Sequence, residues 1–184
     1  MLTRRHFGLL AGTGLVGLAA TTLAGRIASA ETAKTLRIGY QKAGLLAVAR
    51  REKTIEKRLE ADGVAVTWVE FAAGPPLLEA LNVGAIDFGW TGDAPPIFAQ
   101  AAGANLVYVG AAPSNGKGEA IIVKDGSPVK AVADLKGKKI AVTKGSSAHN
   151  LLVAALEKAG IAFADITPVY LSPADAAAAF ASDS

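Results

Sequence analysis

The stretch VAVTWVEFAAGPPLLEALNVGAIDFGWTGDAPPIFAQAA, residues 64–102, decides the fold class. Val64, Val66 and Trp68 alternate with small or polar neighbours up to Phe71, the period-two pattern of a strand. Ala72-Ala73-Gly74 interrupts it, and Pro75-Pro76 open a helix, since a first helical turn has no use for the amide that proline lacks. Gly84 ends that helix, 87–90 reads as a short strand, and Thr91-Gly92-Asp93-Ala94 leads into a second proline-opened helix over 95–102. A helix between two strands returns the chain to the end where it started, so the pattern predicts a mostly parallel sheet with right-handed crossovers.

The alternation continues on both sides. Upstream, 35–40 is a strand pattern, and 45–61 sets Leu46, Val48, Ile55 and Leu59 against charged neighbours as one amphipathic helix. Downstream, 106–111 is a further strand. Pro113-Ser114-Asn115-Gly116-Lys117-Gly118 is turn-rich and low in hydrophobicity, so a crossover is placed at 113–119. A second set then begins: strands at 120–123, 139–143 and 167–171, a short helix at 132–135, and helices at 151–159, closed by Gly160, and 173–181. The expected architecture is α/β with two lobes, 31–112 and 120–184. The second lobe has too little sheet for its helices and reads as truncated.

Composition removes several functions. The chain of 184 residues has no cysteine, which excludes disulfides, thiolate nucleophiles and zinc–thiolate sites. Its two histidines, His6 and His149, exclude a multi-histidine metal centre. Arg4, Arg5 and Arg26 precede every acidic residue, and the remainder, 31–184, balances 16 basic against 16 acidic residues. Such a neutral body lacks the basic excess of a nucleic-acid binder. Residues 1–30 read as an export signal: Thr3-Arg4-Arg5-His6-Phe7-Gly8-Leu9 resembles the twin-arginine motif, an apolar Gly/Ala-rich run follows, and Ala28-Ser29-Ala30 is a small-x-small cleavage pattern. A membrane anchor is the competing reading, but the run sits near the lower limit of a bilayer span. The mature protein is expected to be soluble outside the cytoplasm, cut after Ala30.

Ligands of open α/β sheets sit beyond the carboxyl ends of strands, and four junctions qualify. They are Gln41-Lys42-Ala43-Gly44, Ala72-Ala73-Gly74-Pro75-Pro76, Thr91-Gly92-Asp93-Ala94-Pro95-Pro96, and Lys144-Gly145-Ser146-Ser147-Ala148-His149-Asn150. Helix N-termini carry unpaired N–H groups and partial positive charge, which favour an oxoanion. The candidate ligand-binding residues are Gln41, Lys42, Gly74, Pro75, Thr91, Gly92, Asp93, Ser146, Ser147 and His149. Each has a plainer alternative: the glycines and prolines serve turns, the serines cap a helix, Lys42 is solvated, and His149 packs. Asp93 would repel an anion and fits better as a cap or an amine contact. No G-x-S-x-G, HExxH or carboxylate pair points to catalysis, and no cofactor or metal site is expected.

In order, these segments resemble the aliphatic sulfonate-binding periplasmic proteins of ABC importers, within the wider taurine/nitrate/thiamine-precursor-binding family. The resemblance is carried by LRIGYQK (36–42), FAAGPPLLEAL (71–81), NVGAIDFG (82–89), TGDAPPIFAQA (91–101), DLKGKKIAV (134–142), KGSSAH (144–149) and LSPADA (171–176). It implies a periplasmic binding protein of type II-like fold, not an enzyme. Such a protein closes on an organosulfonate by hinge motion and delivers it to a membrane permease as a sulfur source. It also implies a monomer outside the membrane, and a family chain that continues past residue 184. Taurine, nitrate or a thiamine-precursor pyrimidine is the alternative ligand, and an exported enzyme on the same fold ranks below these.

Overall fold

The computed structural model describes residues 35–113 and 118–183. The expected export signal and its cleavage after Ala30 lie outside the described residues, as does 114–117 of the expected crossover.

Strand β1 (Thr35–Tyr40) is the centre of a three-stranded parallel sheet, with β2 (Ala65–Glu70) on one side and β3 (Phe88–Gly89) on the other. Its alternation divides the core. Ile38 and Tyr40 pack on one face with Leu46 from helix α1 (Leu45–Glu52), while Leu77, Leu78 and Ile86 cover the other. Gly39 and Gly89 are register partners on that second face. A Cβ on Gly39 would lie 2.5 Å from Ile86 Cδ1, and one on Gly89 2.6 Å from Leu77 Cδ2. The paired glycines thus let helix α3 (Gly74–Asn82) set Leu77, which is fully buried, directly on the backbone of the sheet. Helix α4 (Ala94–Ala101) follows β3.

A second sheet pairs β4 (Lys139–Val142) with β5 (Thr167–Tyr170), again in parallel. Helix α5 (Ser147–Lys158) connects them, 3-10 turns occupy Val132–Leu135 and Phe163–Asp165, and α6 (Pro173–Ser182) follows β5. Leu135, Val142, Leu152, Leu156, Ile161 and Ile166 form its separate core. Asp134 fixes the approach to β4 by accepting the N–H groups of Lys130 (2.8 Å) and Ala131 (2.9 Å), which hold its carboxyl below the usual range.

Three expectations differ from the structure. The helix expected over 151–159 already begins at Ser147, so 147–150 is its first turn rather than loop. The helix predicted over 45–61 breaks at Lys53, which takes a left-handed φ of 53°, and resumes as α2 (Thr54–Leu59) and a 3-10 turn at Glu60–Asp62. Thr54 Oγ1 donates to Ala49 O (3.3 Å), drawing on a carbonyl that the helical ladder uses. The segments 106–111 and 120–123 are irregular rather than strands, with Val107, Val109 and Ile122 exposed. A ladder needs a partner for its backbone groups, and none of the described strands pairs with either segment. No helix among the described residues is long and apolar enough to cross a membrane.

Candidate functional site

The junctions after β1, β2, β3, β4 and β5 all contribute residues to one cavity of about 160 Å³. The first sheet contributes Gln41, Ala72, Ala73, Gly74, Thr91, Gly92 and Pro95. The second contributes Thr143, Ser146, Ser147, Ala148 and Pro173. Parallel strands place all their carboxyl ends on one side, which is why loops distant in sequence meet there. The volume is below the roughly 300–1,000 Å³ of a drug-sized ligand pocket, so it suits a compact group.

No lining residue carries a formal charge, and the starts of α3, α4, α5 and α6 all border the cavity. Each start carries a partial positive charge of roughly half a unit. Their donors are unequal. Pro75-Pro76, Pro95-Pro96 and Pro173 remove amides from the first turns of α3, α4 and α6. The Ala94 N–H is taken by Asp93 Oδ1 (2.8 Å) and the Asp175 N–H by Ser172 Oγ (3.2 Å). Helix α5 has no proline in its first turn. Ser146 caps it, accepting the His149 N–H at 3.2 Å while donating its own hydroxyl to Thr143 O at 2.7 Å. That leaves the Ser147 and Ala148 amides, first in the helix and without intrahelical acceptors, and the Ser147 hydroxyl at the cavity. Thr91 Oγ1 is buried there with no hydrogen-bond partner among the described residues.

The two halves of the cavity touch at Gly92, and Gly74 packs closely within the first half. A Cβ on Gly92 would lie 2.7 Å from Ser147 Oγ and 2.8 Å from Ser147 Cβ. A Cβ on Gly74 would strike Thr91 Oγ1, and would lie 2.7 Å from Pro95 Cγ. Gln41 Nε2 donates to Trp90 O (3.3 Å), tying the loops after β1 and β3 together.

Of the sequence-predicted residues, Gln41, Gly74, Thr91, Gly92, Ser146 and Ser147 line the cavity. Pro75 is not among the lining residues; its Cγ lies 3.7 Å from where a Gly145 Cβ would be. Lys42 points away, 83% exposed and 3.6 Å from Glu70. Asp93 caps α4, and His149 sits behind the α5 turn against Phe163 and Tyr170. Ala72, Ala73, Pro95, Thr143, Ala148 and Pro173 also line the cavity and are not among the sequence-predicted residues. Thr143 follows β4 as Gln41 follows β1, so strand-end position was the signal; its hydroxyl donates to Leu171 O (2.8 Å) and fastens β4 to the end of β5. No group of three or more metal-ligating side chains occurs among the described residues.

Known proteins are similar to this chain in sequence and in fold. A protein of Escherichia coli (strain K12) named for binding aliphatic sulfonates is 57% identical over 155 residues, 84% of this chain and 48% of its own length. The alkanesulfonate-binding protein of Xanthomonas axonopodis pv. citri, solved bound to MOPS, superposes with a TM-score of 0.77 at 58% identity, over 82% of this chain and 52% of that one. The periplasmic aliphatic sulphonate binding protein of Escherichia coli gives 0.68 at 58% identity, over 82% and 48%. The chain spans about half the length of these relatives and has their α/β binding-protein fold over that span. Residues 59–184 match the family described as NMT1/THI5 like, and the chain belongs to that family.

Proposed function

We propose that the chain is part of an extracytoplasmic solute-binding protein that captures aliphatic sulfonates for an ABC importer. One observation carries this reading: an uncharged cavity bordered by four helix starts, where the α5 amides and the hydroxyls of Ser147 and Thr91 point to an oxoanion. Hydrogen bonds to a charged group contribute ~1.5–3 kcal/mol each. Three or four of them approach the ~8 kcal/mol of micromolar affinity. A sulfonate suits the site because its tetrahedral head accepts from several directions while its single substituent leaves through the open side. Gly74 and Gly92 permit close approach. The sequence-predicted Lys42, Asp93 and His149 then act from outside the cavity, Asp93 as a helix cap.

The rest of the proposal follows from the resemblance and the relatives' names. The protein is exported by a twin-arginine-like signal cleaved after Ala30, works in the periplasm as a monomer, closes by hinge motion, and passes its cargo to a membrane permease for sulfur supply. The lobes are 31–112 and 120–184, joined at 113–119, and the function is binding rather than turnover.

Titration calorimetry of the intact protein with alkanesulfonates, taurine, nitrate and a pyrimidine tests the assignment. Preference for an alkanesulfonate is expected. Taurine carries an ammonium that asks for a carboxylate, and none lines the cavity among the described residues. Tighter binding of taurine or nitrate would reassign the ligand, and turnover of any of them would restore an enzyme.

A further inference from the structure

His149 is not among the cavity-lining residues, yet it is bonded to the turn that supplies the donors. Gly145 stands in that turn with φ 74°, and its N–H donates to His149 Nδ1 at 3.2 Å. Such a bond requires an unprotonated Nδ1, so the neutral ring carries its proton on Nε2. Nε2 is buried and has no hydrogen-bond partner among the described residues. The ring is fixed from behind by edge contacts to Phe163, centroid to centroid 5.5 Å, and to Tyr170, 5.7 Å. Phe163 packs against the core of the second sheet, and Tyr170 ends β5. A rigid ring four residues into the chain beyond Gly145 thus references the turn to that core.

We propose that His149 is a positioning residue: through the Gly145 amide it holds the 144–147 turn so that the donors of Ser147 and Ala148 face the cavity. This rests on the reading of the α5 start as the anion seat. A direct contact would need a ring nitrogen at the cavity, but Nδ1 is engaged by Gly145 and Nε2 is enclosed in protein.

Two substitutions separate positioning from packing. His149→Phe keeps an aromatic ring against Phe163 and Tyr170 and removes the acceptor. His149→Asn loses the ring and retains an acceptor oxygen near the place of Nδ1. With MOPS as probe in calorimetry on the intact protein, His149→Phe should bind about five- to tenfold more weakly, the equivalent of one lost hydrogen bond. His149→Asn should melt earlier but bind with nearly wild-type affinity. Wild-type affinity in His149→Phe, or equal impairment in both folded variants, would overturn the proposal. Hydrogen exchange of the Gly145 amide without ligand gives a separate reading. Protection lost in His149→Phe and kept in His149→Asn supports positioning, and protection unchanged in His149→Phe refutes it. Failure of the wild-type protein to bind MOPS would instead sink the anion seat, leaving the exchange result to decide the role of His149.

Discussion

Gly92→Ala should weaken sulfonate binding without weakening the fold. The added Cβ would stand 2.8 Å from Ser147 Cβ, whereas ordinary contact begins at 3.4 Å, so the surfaces must part by about 0.6 Å. Gly92 belongs to the loop before α4 and Ser147 opens α5, and the sheets behind them have separate cores. Separation therefore costs little within either core. Across the cavity, however, a hydrogen bond near 2.9 Å would be stretched to about 3.5 Å, where little of its strength remains. Losing one such bond to the anion, ~1.5–3 kcal/mol, raises Kd roughly ten- to a hundredfold. Calorimetry with an alkanesulfonate reads the affinity, and a thermal melt without ligand reads the fold. Gly110→Ala is the control, since its Cβ would meet nothing within 4 Å, and Gly92→Ala with Ser147→Gly should relieve the clash while still lacking the hydroxyl. Wild-type affinity in Gly92→Ala would show that this contact does not close over the ligand, and the reasoning would fail.

Thr91→Val should split stability from binding. Replacing an unpartnered buried hydroxyl with a methyl leaves ligand-free stability equal or slightly higher, while sulfonate affinity falls by ~1.5–3 kcal/mol if the hydroxyl donates to the anion. Equal affinity would remove Thr91 from the site. Ser146→Ala removes the α5 cap and its bond to Thr143 O, and a urea melt should show a loss of about 1 kcal/mol, within the range for caps. Asp87 accepts the Arg37 guanidinium and backbone N–H (2.8 Å), which hold its carboxyl below the usual range. Its contribution to stability is therefore complete above the ordinary carboxylate pKa and is lost as pH falls through that value toward the depressed one. Asp87→Asn should flatten this part of the acid melting curve. The effect is small because both side chains are more than a third exposed.

The elements that sequence specified well are those whose partner lies inside the same stretch. Gly74 to Gly92 spelled out helix, strand and loop because the proline starts, the Gly84 stop and the apolar run from Leu77 through Ile86 are local signals. The segments 106–111 and 120–123 are apolar runs of strand length. A strand, however, is a statement about a neighbour, and an apolar run says nothing about whether one is present. The break at Lys53 was hidden for another reason: lysine is a good helix former, and the Thr54 hydroxyl bond that accompanies the break is made only in three dimensions. For the site, strand-end position selected loops that border the cavity. It could not say which side chains face the cavity: Thr143 lines it, whereas Lys42 is exposed and not among the lining residues.

Counting helix starts also overstates what the sequence offers an anion. Proline is a good sign that a helix begins, but it begins the helix by discarding an amide. Pro75-Pro76 and Pro95-Pro96 therefore supply the field of α3 and α4 while thinning their donors, and Asp93 takes up the Ala94 amide that remains at α4. This use of Asp93 also resolves its awkward sign: its Oδ1 accepts from the helix it caps, and Asp93 is not among the cavity-lining residues. Under the proposed function, directional recognition falls to α5, whose Ser146-Ser147 opening caps the helix with one hydroxyl and leaves the other residue at the cavity. Capping and ligand binding were alternatives for this serine pair when read from sequence. In three dimensions the two serines part, because successive residues at a helix start point in different directions. Ser146 caps the helix and reaches back to the Thr143 carbonyl, while Ser147 lies across from Gly92, and it is Ser147 to which the proposed function gives the ligand.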